Sequence, residues 1–215
     1  MMSRQLTRKS STTAYDFIGI TVAENTPIQL VVGLGNPGEK YAKTRHNAGF
    51  WFLDQLAYHY QASFRQDSKF KGEVASFDYQ GNKIWLLKPS TFMNLSGESL
   101  APLTKYYQID PKHTLVVHDE LDLPPGTSRF KLGGGHGGHN GLRDIFKHYA
   151  KDFWRLRVGV GHPGHKDQVL SFVLNAASKQ EQQLIDQSLD IAIEAMQDAY
   201  AGDMEAAMRL LHNKQ

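Results

Sequence analysis

His46 lies in the stretch Ile28 to Asn47, IQLVVGLGNPGEKYAKTRHN. An apolar, β-branched run there ends in glycines and releases a polar loop bearing Asn36, Tyr41, Arg45, His46 and Asn47. His46 is the one side chain of that loop that titrates near neutral pH, which makes it the first candidate for moving a proton. Asp119 follows a second apolar run, Thr114 to His118. A carboxylate beside an imidazole accepts the hydrogen bond of one ring nitrogen, fixes the tautomer and holds the imidazolium once it forms. The other nitrogen is then free to take a proton from water. Asn36 and Asn94 bring amides that can donate to a developing oxyanion without titrating. Phe92 and Met93 read either as packing against a cleft wall or as a platform for a base or a substrate side chain.

The run GGGHGGHNG at 133–141 adds His136, His139 and Asn140. It lacks the lysine and hydroxyl of a phosphate-cradling nucleotide loop, and no acidic ribose partner follows at the distance a dinucleotide fingerprint requires. His136 and His139, three apart, have the spacing of a metal pair but need a third ligand, and there is no HExxH. The alternative is a flexible glycine-lined gate through which a bulky polymer approaches backbone, with Lys131 just before it supplying a phosphate contact. By type and position alone, Asn94 and Asn140 are more often turn residues than catalysts. The absence of GxSxG disfavours a nucleophile-elbow serine hydrolase.

The elements that must position these groups follow from periodicity. Ile28–Leu34, Ile84–Leu87, Thr114–His118 and Leu156–Val160 are short apolar runs suited to strands covered on both faces. Their ends release Asn36 and His46, Asn94, Asp119 and His162, so in a parallel arrangement one edge of the sheet collects them all. Helical spacing predicts helices at 48–60, from Ser96 to Tyr107, from the glycine run to Tyr149, from a Ser178/Glu181 capping box onward, and at 204–211. Strands at 71–78 and 83–88 flank a hairpin turn, and 128–132 reads as a short strand. The class is α/β: a single domain with a mixed, mostly parallel twisted sheet and helices on both faces.

With 215 residues and 40% apolar content the chain can bury a full core, and no run is long enough to span a membrane. Zero cysteine excludes disulfides, thiolate metal sites and cysteine nucleophiles, and suits a reducing compartment. The net charge of +2 conceals a division. Bases gather between Arg129 and Arg157, while Glu181 to Glu205 holds acids with no Lys or Arg. One basic and one acidic face favour a polyanion docking in one orientation, although two solvated helix faces give the same pattern. Residues 1–26, rich in Ser, Thr, Arg and Lys, read as a loose extension ahead of a domain at 27–215.

Five motifs together closely resemble the bacterial peptidyl-tRNA hydrolase family. They are GLGNPGEKYAKTRHNAGF at 33–50, TFMNLSG at 91–97, HDELDLPPG at 118–126, FKLGGGHGGHNGLRD at 130–144 and RLRVGVGHPG at 155–164. The resemblance implies hydrolysis of the ester between a peptide and the terminal ribose of tRNA, recycling peptidyl-tRNA dropped by stalled ribosomes. It also implies a cytoplasmic, metal-free monomer without a cofactor. By similarity His46 activates water and Asp119 stabilises its basic form. Asn36 separates blocked from unblocked aminoacyl-tRNA. Tyr41, Phe92, Met93, Asn94 and Asn140 belong to the surface contacting the tRNA end or the peptide, and Lys131 and Arg157 clamp the tRNA 5′ phosphate. Two other classes fit the residues: a metal-dependent hydrolase built on His136, His139, His162 and Asp119, and a non-catalytic RNA-binding module.

Overall fold

The computed structural model describes residues 26–214. The sequence-predicted extension, apart from its last residue, lies outside them. Thirteen regular elements follow one another: β1 (Leu30–Gly33), α1 (Ala48–His59), β2 (Arg65–Asp67), β3 (Gly72–Tyr79), β4 (Asn82–Pro89), α2 (Gly97–Tyr107), β5 (Thr114–Glu120), β6 (Ser128–Leu132), α3 (Asn140–His148), β7 (Trp154–Gly159), α4 (Val169–Val173), α5 (Lys179–Ala201) and α6 (Met204–Asn213). Single 3-10 turns at Glu39–Tyr41, Arg45–Asn47 and Met93–Leu95 interrupt the loops that leave β1 and β4.

The strands form one sheet in the order β2-β3-β4-β1-β5-β7-β6. Its centre, β4-β1-β5-β7, is parallel, while β2-β3-β4 and β6-β7 are antiparallel flanks. The parallel centre follows from sequence, because β1, β5 and the inner part of β4 are apolar on both faces. Alternation then sorts the side chains into two cores. Val31, Leu86, Leu115 and Val117 face α1, α5 and α6. Leu30, Val32, Leu87 and Val116 face α2 and α3.

The same alternation splits β7. Trp154, Leu156 and Val158 enter the α5–α6 core. Arg155 and Arg157 point to the other face, opposite Lys131 and Arg129 in the β6–β7 register. The basic stretch and the acidic α5 are therefore on opposite sides of the sheet, as the charge division predicts.

Three local details position the loops. Gly33 and Gly49 bring β1 and α1 together main chain to main chain. A Cβ on Gly49 would run into the Leu34 backbone and the Val117 carbonyl oxygen. At α2, Ser96 precedes the helix but does not cap it through its side chain. Its hydroxyl donates to the Met93 carbonyl at 2.8 Å, and the Gly97 N–H is taken instead by Asp144 Oδ2 from α3 at 2.9 Å. At α5 the Ser178/Glu181 capping box forms as the sequence predicts.

Candidate active site

Parallel β1, β4, β5 and β7 all release their loops at one edge of the sheet, and the buried polar residues gather there. His46 lies in the 3-10 turn leading into α1, and Asp119 lies near the end of β5. His46 Nδ1 donates to Asp119 Oδ1 at 2.8 Å, with both side chains buried. A second ring donates to the same oxygen: His139 Nε2 lies 2.9 Å from Asp119 Oδ1. The direction of that bond is fixed from behind. His139 is the N-cap of α3, and its Nδ1 accepts from the Gly141 and Leu142 N–H groups at 3.2 and 3.4 Å. Its proton must therefore sit on Nε2.

Burial alone would lower the His46 pKa, but the charge and hydrogen bond of Asp119 outweigh it and raise the value above the ordinary 6.5. Burial would likewise push the Asp119 carboxyl up, but the two imidazoles outweigh that and hold it well below the usual range. The carboxylate is therefore ionised at working pH, and His46, with Nδ1 engaged, keeps Nε2 free. Neighbouring His118 behaves differently. Its Nδ1 donates to the Asp119 carbonyl at 2.8 Å, and burial, with His139 adding to it, lowers its pKa to about 3. It stays neutral.

Asn36 follows β1. The Asn47 side chain closes a reciprocal pair on its backbone: Asn36 N–H donates to Asn47 Oδ1 at 2.9 Å, and Asn47 Nδ2 donates to the Asn36 carbonyl at 3.0 Å. The Met93 N–H donates to Asn36 Oδ1 at 2.9 Å. That bond settles which end of the Asn36 amide is which, and leaves its NH2 as the unengaged end among the described residues. Asn36 can therefore donate to a substrate but has little capacity to accept from one. Met93 itself is buried against α3 and meets the site through its main chain.

The remaining sequence-predicted residues lie on the loops and elements around this edge of the sheet. Tyr41 and Phe92 meet edge to face at 6.4 Å, and Phe92 is 53% exposed. Asn94 is exposed in the turn after Phe92. Asn140 opens α3, with its Oδ1 accepting from Arg143 at 2.7 Å. Lys131 is exposed, whereas Arg157 donates through Nε to Glu120 at 2.8 Å. Arg45, next to His46, donates to the carbonyls of Phe172, Asn175 and Ala176 and pairs with Glu181, which pins the His46 turn to the stretch from the end of α4 to the start of α5.

Two expectations fail. His162 is exposed, and its ring accepts the Gly164 N–H at 2.9 Å, so it closes its own turn and does not enter the pocket. His136 does not pair with His139; its Nδ1 accepts from Gly138 N–H at 3.0 Å. Among the described residues, the potential metal-ligand group is His46, Asp119 and His139. Its hydrogen-bond directions suit protons better than a cation. A metal on His139 Nε2 normally leaves Nδ1 to donate outward, but here Nδ1 is already an acceptor.

His139 and Asn47 are the site residues whose roles sequence reasoning missed. Neither contact has a local signature. His139 reaches Asp119 across 20 residues of chain. Asn47 does have a cue, since it stands beside His46 in the same loop, but nothing there indicates that it braces Asn36.

Comparison with known proteins agrees in one direction. A family model described as peptidyl-tRNA hydrolase matches residues 30–215. The chain is 53% identical over 188 residues to a peptidyl-tRNA hydrolase of Neisseria meningitidis (serogroup A / serotype 4A), covering 87% of this chain and 98% of the relative. It is 54% identical over 189 residues to that of Tolumonas auensis, covering 87% and 96%. Among solved structures, peptidyl-tRNA hydrolase from Acinetobacter baumannii superposes with a TM-score of 0.85 at 48% identity, covering 88% of this chain and 96% of the other.

Proposed function

Since the chain belongs to the peptidyl-tRNA hydrolase family, we propose that it hydrolyses the ester between a peptide, or an N-blocked amino acid, and the terminal ribose of tRNA. This recycles peptidyl-tRNA released from stalled ribosomes, and the work is done in the cytoplasm by a monomer. The observation that carries the mechanism is the buried 2.8 Å bond from His46 Nδ1 to Asp119 Oδ1. It leaves Nε2 to take a proton from water as the oxygen attacks the ester carbonyl. The resulting imidazolium sits against an ionised carboxylate. The oxyanion faces amide donors, of which the Asn36 NH2 and Asn94 are the candidates. Collapse of the tetrahedral intermediate breaks the bond to the ribose oxygen, which recovers the proton from His46. An activated ester needs no covalent nucleophile and no metal for this path.

The Asn36 amide also supplies a reason to prefer blocked substrates. An N-acylated residue offers a carbonyl acceptor to its NH2, whereas a free α-ammonium offers donors alone, so donor would face donor. Tyr41, Phe92 and Asn140 would contact the acceptor end and the peptide. The direct test is release of N-acetylated amino acid from tRNA with and without exhaustive EDTA treatment. Undiminished, saturable cleavage in EDTA is expected. Cleavage lost to the chelator and restored by a divalent ion would give the site to a metal hydrolase. Binding without cleavage would make the protein an RNA-binding module.

Lys131 and the free end of Arg157 would hold the tRNA 5′ phosphate. Lys131→Ala is expected to raise KM about tenfold for full-length substrate, the worth of one charge-assisted contact. It should leave a short mimic lacking the 5′ end unchanged. Equal effects on both substrates would refute the clamp. Arg157→Ala should behave alike.

A further inference from the structure

Arg155 has no part in the mechanism above, yet it is the most unusual cation among the described residues. It lies on β7, is 3% exposed, and forms no ion pair among the described residues. Its guanidinium lies 5.2 Å from the ring centres of both Phe146 and Phe153. Nε is buried without a partner. Burial, followed by repulsion from Arg157, lowers its pKa to about 10. A cation held this way costs stability unless its remaining donors are well used. They are aimed at the glycine run: Nη1 donates to the Gly135 carbonyl and Nη2 to the Gly134 carbonyl, both at 2.6 Å.

Peptide planarity gives these two bonds a consequence. In each peptide unit the N–H points opposite to the C=O. With the Gly134 and Gly135 carbonyls turned onto the guanidinium, the N–H groups of Gly135 and His136 face away from it. Neither has an intramolecular partner among the described residues. Lys131, the cross-strand neighbour of Arg155, stands at the same place: a Cβ on Gly134 would lie 3.3 Å from its Nζ. Beyond these residues the run continues to His139, which holds Asp119.

We infer that Arg155 is a positioning residue: it latches Gly134 and Gly135 so that the Gly135 and His136 N–H groups and the Lys131 ammonium are presented together to a phosphate of the RNA acceptor strand. This rests on the reading that the substrate is tRNA. The guanidinium does not touch the phosphate. It acts through the loop, which without it has glycine freedom and no fixed outward face. Buried donors with two carbonyls to satisfy need the planar fork of arginine, which a lysine cannot reproduce.

The test compares Arg155→Lys and Arg155→Gln with the parent on N-acetylaminoacyl-tRNA and on a short N-acetylaminoacyl mimic without the acceptor strand. Arg155→Lys keeps a positive charge and so separates loss of the planar fork from loss of charge, while cleavage of the short mimic reports that each variant is folded. For both variants KM for full tRNA is expected to rise about tenfold. For both, kcat at saturation should stay within about threefold, and the short mimic should be cleaved as by the parent. The slope of log KM against log salt should flatten by about one, as expected when one phosphate contact is lost. Amide exchange at Gly138 and His139 should quicken in both variants. A parental KM and salt slope in Arg155→Lys would overturn the latch, as would equal losses on both substrates. Absence of cleavage by the parent protein itself would instead overturn the tRNA hydrolase reading.

Discussion

His46→Ala is expected to lose roughly 10²–10⁴-fold in kcat, the usual contribution of a positioned general base, while binding of N-acetylaminoacyl-tRNA stays within a few fold. His46 is buried, and its ring is bonded to Asp119, so the phosphate and aromatic contacts proposed for binding do not pass through it. Single-turnover cleavage with equilibrium binding of the same substrate separates the two quantities. Loss of binding in step with turnover would mean that the ring holds substrate and does not activate water. The pH profile gives a second reading. The proposed general-base step needs neutral His46, whose pKa is raised above 6.5 by Asp119. The acid limb of kcat/KM should therefore fall with a midpoint above that value.

Asp119→Asn is expected to be nearly as damaging and to carry a signature that alanine at 46 cannot show. In the serine-protease triad the same carboxylate-to-amide change behind a catalytic imidazole costs about 10⁴, and a loss of roughly 10²–10⁴ in kcat is expected here. The sign of the pH effect follows from the forces on His46. Burial lowers its pKa, while the Asp119 charge and hydrogen bond raise it. Removing the charge leaves burial in command, so the acid limb should move to lower pH even as the plateau drops. An unmoved limb would deny the coupling between the two residues. The variant also loses the charge that receives the His139 N–H, so circular dichroism should first establish that α3 is intact.

The order of strands and helices was largely legible because it rests on local patterns. The apolar runs of β1, β4 and β5, the hairpin β3–β4 and the Ser178/Glu181 capping box each declare themselves within a few residues. Strand β2 did not, since Arg65–Asp67 is short and polar and pairs at the edge of the sheet. Strand β7 begins at Trp154, earlier than the apolar run suggests, because Arg155 reads as surface charge until Phe146 and Phe153 are seen to enclose it.

The meeting of His46 and Asp119 was legible in outline: an imidazole and a carboxylate released at the same edge of a parallel sheet. Its completion was not. That His139 caps a helix with one nitrogen and holds Asp119 with the other is a property of two elements meeting in space. The sequence shows only a histidine in a glycine run, which reads first as part of a flexible gate and less readily as one of a metal pair. His162 erred the other way, because a residue at the correct edge can still direct its ring into its own turn.

The meeting of Gly33 and Gly49 has a bearing on engineering. It places the turn carrying His46 by peptide groups, with no side chain interposed between strand and helix. Repacking α6, away from the Arg45–Glu181 pair at the start of α5, is expected to change heat tolerance without displacing the His46 ring. Durability and speed are thus separable properties of this enzyme, adjustable on different parts of the chain.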